Sequence, residues 1–130
     1  MSLFRPIAKS TFDVYDPANL RYIFQLRVGL SHLRSHKYHH NFVDTPSDIC
    51  LCRHGVEDTG HFLLFCPFYS TARATLIDRV ETILQENNID RNVDLLSVIL
   101  YGHSSLDEMN NKSIITLTIN YIKSTKRFSL

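Results

Sequence analysis

Residues 50–67 read CLCRHGVEDTGHFLLFCP and contain all three cysteines of the chain. Three thiols and one imidazole fall within this stretch in the pattern Cys-x-Cys-x8-His-x4-Cys. The side chains concerned are those of Cys50, Cys52, His61 and Cys66. Thiolate sulfur and imidazole nitrogen are donors that zinc prefers, and four of them complete a closed tetrahedral shell. The stretch therefore predicts a Zn²⁺ site built on one short loop.

Other interpretations of these residues remain open at this stage. A free cysteine often packs as a small buried hydrophobe, and Cys66 directly follows an apolar run. A disulfide from Cys66 to Cys50 or Cys52 would leave one thiol unpaired and would need an oxidising compartment. His54 is a competing fourth ligand, but its position inside the loop favours a pendant side chain, so His61 is preferred.

Composition indicates one domain, or a fragment of a larger protein, with 130 residues and a net charge of +1. No secretory leader is visible, and no apolar run approaches the length of a membrane span. We therefore expect an intracellular protein, nuclear or cytoplasmic, that is neither secreted nor membrane-bound. A reducing compartment favours zinc over a disulfide.

Apolar periodicity predicts a mostly α fold, a small helical domain around a zinc-knuckle-like loop. A helix is expected to begin at Asp16-Pro17, an N-cap acid followed by proline, and Gly29 is a potential break in it. Residues 1–15 are interpreted as a tether or a severed upstream connection, and residues 16–130 as the helical zinc-binding module. Helices are predicted over residues 17–38, 67–87, 93–101 and 107–128, and a helical turn or a strand over residues 61–66.

Basic residues are concentrated in one region, with five Lys/Arg against two Asp/Glu between positions 21 and 53. Cations that contact phosphates, together with rings that stack on bases, are typical of nucleic-acid binding. Phe24, one of the interspersed rings, is nevertheless expected in the core. The basic tail carries a weaker version of the same signal in Lys123, Lys126 and Arg127. The predicted nucleic-acid contacts are Arg21, Arg27, Arg34 and Lys37.

Histidines are also concentrated here, and His32, His36 and His40 would share one face of a continuous helix. That spacing suits a second metal clamp, a basic contact surface or a solvated polar face, and no carboxylate accompanies it. Catalytic motifs are lacking: the sequence contains neither a nucleophile elbow nor a phosphate-binding glycine loop. We therefore predict that the chain is not an enzyme.

The segment from residue 20 to residue 73 resembles the region downstream of the polymerase domain in non-LTR (LINE-type, jockey-like) retrotransposon reverse transcriptases. The matching elements are Arg27-Val28-Gly29, Cys50-Leu51-Cys52, Glu57-Asp58 and the His-Phe-Leu-Leu-x-Cys-Pro signature at residues 61–67. The end of the chain is also similar to the tail of such proteins. Gly60 departs from the family pattern, in which an acidic or small polar residue commonly precedes the histidine.

The resemblance implies a zinc-binding module that helps a parent reverse transcriptase hold RNA or DNA, weakly and without sequence specificity. Cys50, Cys52, His61 and Cys66 would be its ligands. The polymerase fingers and palm are absent, so the chain would be a non-catalytic piece of a mobile element. Two alternatives stand beside this function: a structural module that docks on a partner or on the missing polymerase domain, and a transposon relic without function.

Overall fold

A computed structural model describes residues 17–128 of the chain, so the predicted tether over residues 1–15 lies outside the described residues. The described part is mostly α, as predicted, and its only β-pairing is an isolated bridge between Ile49 and Val56. The wide helical turn His61–Phe65 and the 3₁₀ turn Pro67–Tyr69 lead directly into the third helix. The helices are α1 (Pro17–Val28), α2 (Arg34–His39), α3 (Ser70–Glu86), α4 (Leu95–Tyr101) and α5 (Glu108–Thr125).

The helix expected over residues 17–38 is in fact two helices. α1 ends at Val28 because Gly29 adopts a left-handed φ of 75°, and the Leu30 N–H donates back to the Gln25 carbonyl at 2.9 Å. This is the glycine-terminated C-cap common at helix ends. The potential break at Gly29 is therefore confirmed, whereas a single basic helix over residues 17–38 is wrong, and the histidines do not share one helical face.

The core lies where α1, α3, α4 and α5 meet. α5 packs against each of the other three, and the Thr118 hydroxyl on α5 donates to the Ile99 carbonyl of α4 at 2.9 Å. Phe24 is 58% exposed, so its expected place in the core is wrong; α1 turns Ile23 and Leu26 inward instead. No helix within residues 17–128 combines the length and hydropathy needed to cross a membrane. The core also contains Leu33, Phe62, Leu63, Leu76, Val80, Val98, Ile114 and Ile122.

Candidate metal centre

The first two thiols are carried by a tight turn closed by the bridge between Ile49 and Val56. Within it, the Cys50 N–H donates to the Gly55 carbonyl at 2.8 Å, and the Arg53 N–H donates to the Cys50 carbonyl at 2.9 Å. Gly55 has a φ of 146°, which L side chains rarely adopt, so the glycine permits this turn. The turn holds the two cysteines of the Cys-x-Cys pair at one end.

The other two ligands are carried by the turn His61–Phe65. The Asp58 carboxylate accepts the His61 N–H at 2.8 Å and starts this turn, in the manner of a helix cap. The Cys66 N–H then donates to the His61 carbonyl at 2.7 Å. Cys66 is extended, as expected for a residue before proline, and Pro67 begins the next turn. One turn of chain thus brings an imidazole and a thiol to the same place.

The four predicted side chains converge. Their ligand atoms all lie within 4.8 Å of one another, with Cys50 Sγ 3.8 Å from Cys66 Sγ and Cys52 Sγ 3.3 Å from His61 Nε2. Zn–S bonds of about 2.3 Å in a tetrahedron place two sulfurs about 3.8 Å apart. All three cysteines are free, which excludes the disulfide alternative in this structure. The cluster has the spacing and donor set to hold a metal ion.

The cysteines are buried, but they do not belong to the helical core. They form a small cluster of their own, and Tyr69 packs against both this cluster and the core. His54 is exposed and its ring lies outside the cluster, although its backbone N–H donates to Cys52 Sγ at 3.4 Å. The His61 ring therefore lies with the three thiols, and the His54 ring does not.

Burial sets the protonation of the thiols in the absence of a cation. It raises the pKa of Cys50 to about 12 and also raises the pKa of Cys66. Burial opposes ionisation of Cys52 too, but hydrogen bonds from the His54 N–H and the neighbouring thiols outweigh it and lower the pKa of Cys52. A metal ion bound here would therefore displace protons from the cluster, as metal binding to thiols requires.

The metal loop, residues 50–66, is held to the helices through its backbone carbonyls. Arg73 on α3 donates to the carbonyl of Cys66 and, at 3.3 Å, to that of Leu63. The Tyr121 hydroxyl on α5 donates to the Phe62 carbonyl at 2.5 Å, and burial raises the pKa of Tyr121 to about 12. Sequence reasoning missed these anchors, because nothing in the chain marks which helical residues face a loop carbonyl.

A buried ion pair joins the metal loop to the end of the chain. Glu57, only 4% exposed, accepts from Arg127 Nη2 at 2.7 Å and from Arg127 Nε at 2.9 Å. The same carboxylate accepts the Arg34 N–H at the start of α2, at 2.7 Å. The hydrogen bonds from Arg127 to this carboxylate raise the pKa of Arg127. Arg127, which the sequence places in the basic tail, is thus held in an ion pair within the fold.

The four predicted nucleic-acid contacts fall on two helices. Arg21 and Arg27 lie on α1, where Arg21 is exposed and Arg27 Nε donates to the Leu100 carbonyl at 2.7 Å. The Arg27 guanidinium also lies 4.7 Å from the centroid of the Tyr101 ring. Arg27 therefore joins α1 to α4 as well as carrying charge.

Arg34 and Lys37 lie on α2, next to the metal loop. Arg34 Nε donates to the carbonyl of Ile49 at 2.7 Å, and Lys37 pairs with Asp44 at 2.9 Å. The Lys37 ammonium is also 5.5 Å from the centroid of the Phe42 ring. Both cations remain partly exposed beside the loop.

Apolar side chains on and after the metal loop point to solvent. Leu51 is 71% exposed, Phe65 is 69% exposed and Phe68 is 60% exposed. Sequence reasoning looked for rings on α1 and α2 and missed these, since residues 62–65 read as one uniform apolar run. Phe68 and Leu51 also line a surface cavity that the α2 cations share, whereas Phe65 does not.

Comparison of the chain with protein-family models, curated proteins and solved structures found no match. The proposed function therefore rests on the residues and geometry described above.

Proposed function

We propose that Cys50, Cys52, His61 and Cys66 bind one structural Zn²⁺ ion and that the resulting module binds RNA or DNA without sequence preference. The observation that carries this proposal is the meeting, at one loop, of a four-donor cluster, the α2 cations and the exposed ring of Phe68. The resemblance to non-LTR reverse transcriptases supports it. In this proposal the module has no catalytic activity and belongs to a larger polymerase.

Zinc is the metal that fits the donor set best. Three thiolates and one imidazole in a closed, buried group are typical of structural zinc sites, which keep no open position for catalysis. Purified chain should contain one equivalent of zinc by elemental analysis. His61→Ala should lose most of it, whereas His54→Ala, which removes the neighbouring exposed ring, should retain it. Equal zinc content in the two variants would contradict this ligand set.

Nucleic-acid binding is supported by the two α2 cations and the exposed Phe68 ring, which line one cavity. Cations hold phosphates with release of counterions, and aromatic side chains stack on bases of any sequence. Affinity for a labelled single strand should therefore fall steeply with salt. Arg34→Gln with Lys37→Gln should reduce the log–log slope by about 0.7 for each lost contact. Arg79→Gln, on α3 and away from the loop, is the control and should leave the slope unchanged.

A protein-interaction module is the second candidate, favoured by one specific observation. Leu20, Phe24 and Val28 recur every four residues on α1 and are 40%, 58% and 48% exposed, so residues 17–128 leave one apolar side of this helix exposed. This candidate predicts that wild type and the Arg34/Lys37 double variant bind oligonucleotides equally weakly. The salt titration therefore separates the two functions.

Absence of catalysis is tested directly. The chain should extend no primer when magnesium, nucleotides and an RNA or DNA template are present. Primer extension that copurifies with this protein through successive columns would contradict the proposal.

A further inference from the structure

A surface cavity of about 410 Å³ opens beside the metal loop. Its walls come from α2, from the Cys-x-Cys turn and from the turn Pro67–Tyr69, with the Glu57–Arg127 pair on one side. The volume lies within the range of about 300–1,000 Å³ usual for ligand pockets. The cavity is thus large enough for a small group of mixed polarity.

Two kinds of side chain line this cavity. Arg34 and Lys37 supply positive charge, while Leu51 and Phe68 supply exposed apolar surface. Arg127 also lines it, but its guanidinium is taken up by Glu57. Cations next to an exposed ring suit a ligand that is anionic at one end and flat and apolar at the other.

The two apolar side chains of the cavity, Leu51 and Phe68, belong to the two segments that the four-donor cluster brings together. Leu51 stands between Cys50 and Cys52, and Phe68 follows Cys66 by two positions. Cys50 Sγ and Cys66 Sγ lie 3.8 Å apart, so bringing these sulfurs together also fixes the segments that carry the two apolar side chains. A metal ion would therefore hold the walls in place before any ligand arrives.

A carboxylate of the chain already sits on one of the cations. Asp44 Oδ2 accepts from Lys37 Nζ at 2.9 Å, and the Asp44 side chain is 64% exposed. This hydrogen bond from Lys37 lowers the pKa of Asp44, which keeps the carboxylate ionised. An exposed ion pair of this kind is weak, so another anion can replace the carboxylate.

We propose that this cavity binds one nucleotide of a single strand, with its phosphate at Arg34 and Lys37 and its base between Leu51 and Phe68. In this arrangement Asp44 is an internal competitor that the phosphate displaces from Lys37. The inference rests on the proposed nucleic-acid function and deepens it by naming the subsite. It assigns a direct part in base binding to the metal loop, through Leu51, and to the turn that follows the loop, through Phe68.

The base contact is tested with fluorescently labelled uridine and deoxythymidine 8-mers in anisotropy titrations of the zinc-loaded chain. Phe68→Ala should weaken binding of at least one of the two strands about tenfold or more, the usual effect of removing a stacking ring. Phe65→Ala removes a somewhat more exposed ring that does not line the cavity, and it should change affinity less than twofold. Zinc content and far-ultraviolet circular dichroism confirm that both variants are folded.

The phosphate contact is tested with the same strands. Asp44→Asn should raise affinity severalfold because it frees Lys37, whereas Asp78→Asn, which changes the net charge equally on α3, should have little effect. Equal effects of Phe68→Ala and Phe65→Ala, or of the two Asp variants, would overturn the subsite and leave nucleic-acid binding in place. Failure of wild type to bind either strand would overturn the proposed function and the subsite together.

Discussion

At the scale of single residues, Glu57 links three parts of the molecule. Its backbone N–H donates to the Asp48 carbonyl at 2.8 Å at the base of the metal loop, and its carbonyl accepts the Ser35 N–H at 3.0 Å. Its carboxylate accepts from the first residue of α2 and from Arg127. A buried carboxylate is stabilised when its oxygens accept hydrogen bonds from a paired cation, and here both oxygens accept from Arg127.

Replacing this carboxylate should destabilise the fold. Glu57→Gln keeps the shape but leaves the half-buried Arg127 charge without its counter-ion, so the free energy of unfolding should fall by about 2–3 kcal/mol. Chemical denaturation at constant zinc measures the change. Glu108→Gln breaks an exposed pair with Lys112 and should change stability by less than about 1 kcal/mol. Similar losses in the two variants would contradict the role given to Glu57.

His36 should make stability depend on pH. Its Nδ1 lies 3.1 Å from the Ser31 N–H and accepts it, and burial lowers the pKa of His36 below 6.5, with His39 and His40 assisting and Asp58 and Glu57 opposing. The folded state therefore binds this proton less readily than the unfolded chain, so stability is full above about pH 6.5 and declines as the pH falls below it.

The measurement is the loss of unfolding free energy between pH 7.5 and pH 5.5. Wild type should lose more than His36→Gln, and the difference isolates this residue because every other histidine is common to both chains. Parallel pH dependence in the two proteins would show that His36 does not contribute.

At the scale of elements, the connection between α4 and α5 is built around one glycine. Gly102 follows α4 with a φ of 78°, and a Cβ placed there would lie 2.5 Å from Asn111 Oδ1. The Asn111 amide cannot move aside freely, since it accepts the His103 N–H at 2.8 Å and donates to the carbonyls of His103 and Leu106. The connection between the two helices therefore requires a residue without a side chain at position 102.

Gly102→Ala should lower the free energy of unfolding by about 2 kcal/mol or more, from left-handed strain together with the clash. Gly60→Ala is the matched control, because Gly60 has a helical φ of −62° and an added Cβ meets only ordinary contacts at 3.6 Å. The control should be neutral or slightly stabilising. Thermal unfolding of both variants measures the two changes in stability, and equal destabilisation would contradict this account of Gly102.

At the scale of the whole molecule, the metal loop and the helical core are joined rather than independent. Phe62 and Leu63 belong to the core, yet they lie between two of the four ligands. The anchors from Arg73 and Tyr121 hold the same turn to α3 and α5. Loss of order around the ligands should therefore loosen the packing of the helices.

Chelation should lower the melting temperature of wild type by about 10 °C or more, since the binding energy of a structural metal adds to the folding energy and 1 kcal/mol shifts a domain of this size by about 4 °C. Circular dichroism at 222 nm, with and without a chelator, gives the shift. His61→Ala should melt at one temperature in both conditions. An unchanged wild-type melting temperature would show that the metal does not support the fold.

Sequence patterns predicted the features whose causes are local. The four candidate donors lie within seventeen positions, so one short loop can bring them together, and periodicity identified the helices because each turn repeats the same burial. The exposure of Phe24 was not predictable, because the periodic apolar positions of α1 do not reveal which side is covered. The Glu57–Arg127 pair joins residues 70 positions apart, and no local signal marks either partner.

This difference in span also sets an order of folding. The four candidate ligands enclose a loop of seventeen residues, while the pair of Glu57 and Arg127 encloses a loop of about seventy. Closing the longer loop costs about 1 kcal/mol more in chain entropy. The short loop should therefore form first, before α5 packs against the other helices. The last step of refolding would then be the pairing of Arg127 with the Glu57 carboxylate, after the metal loop has formed.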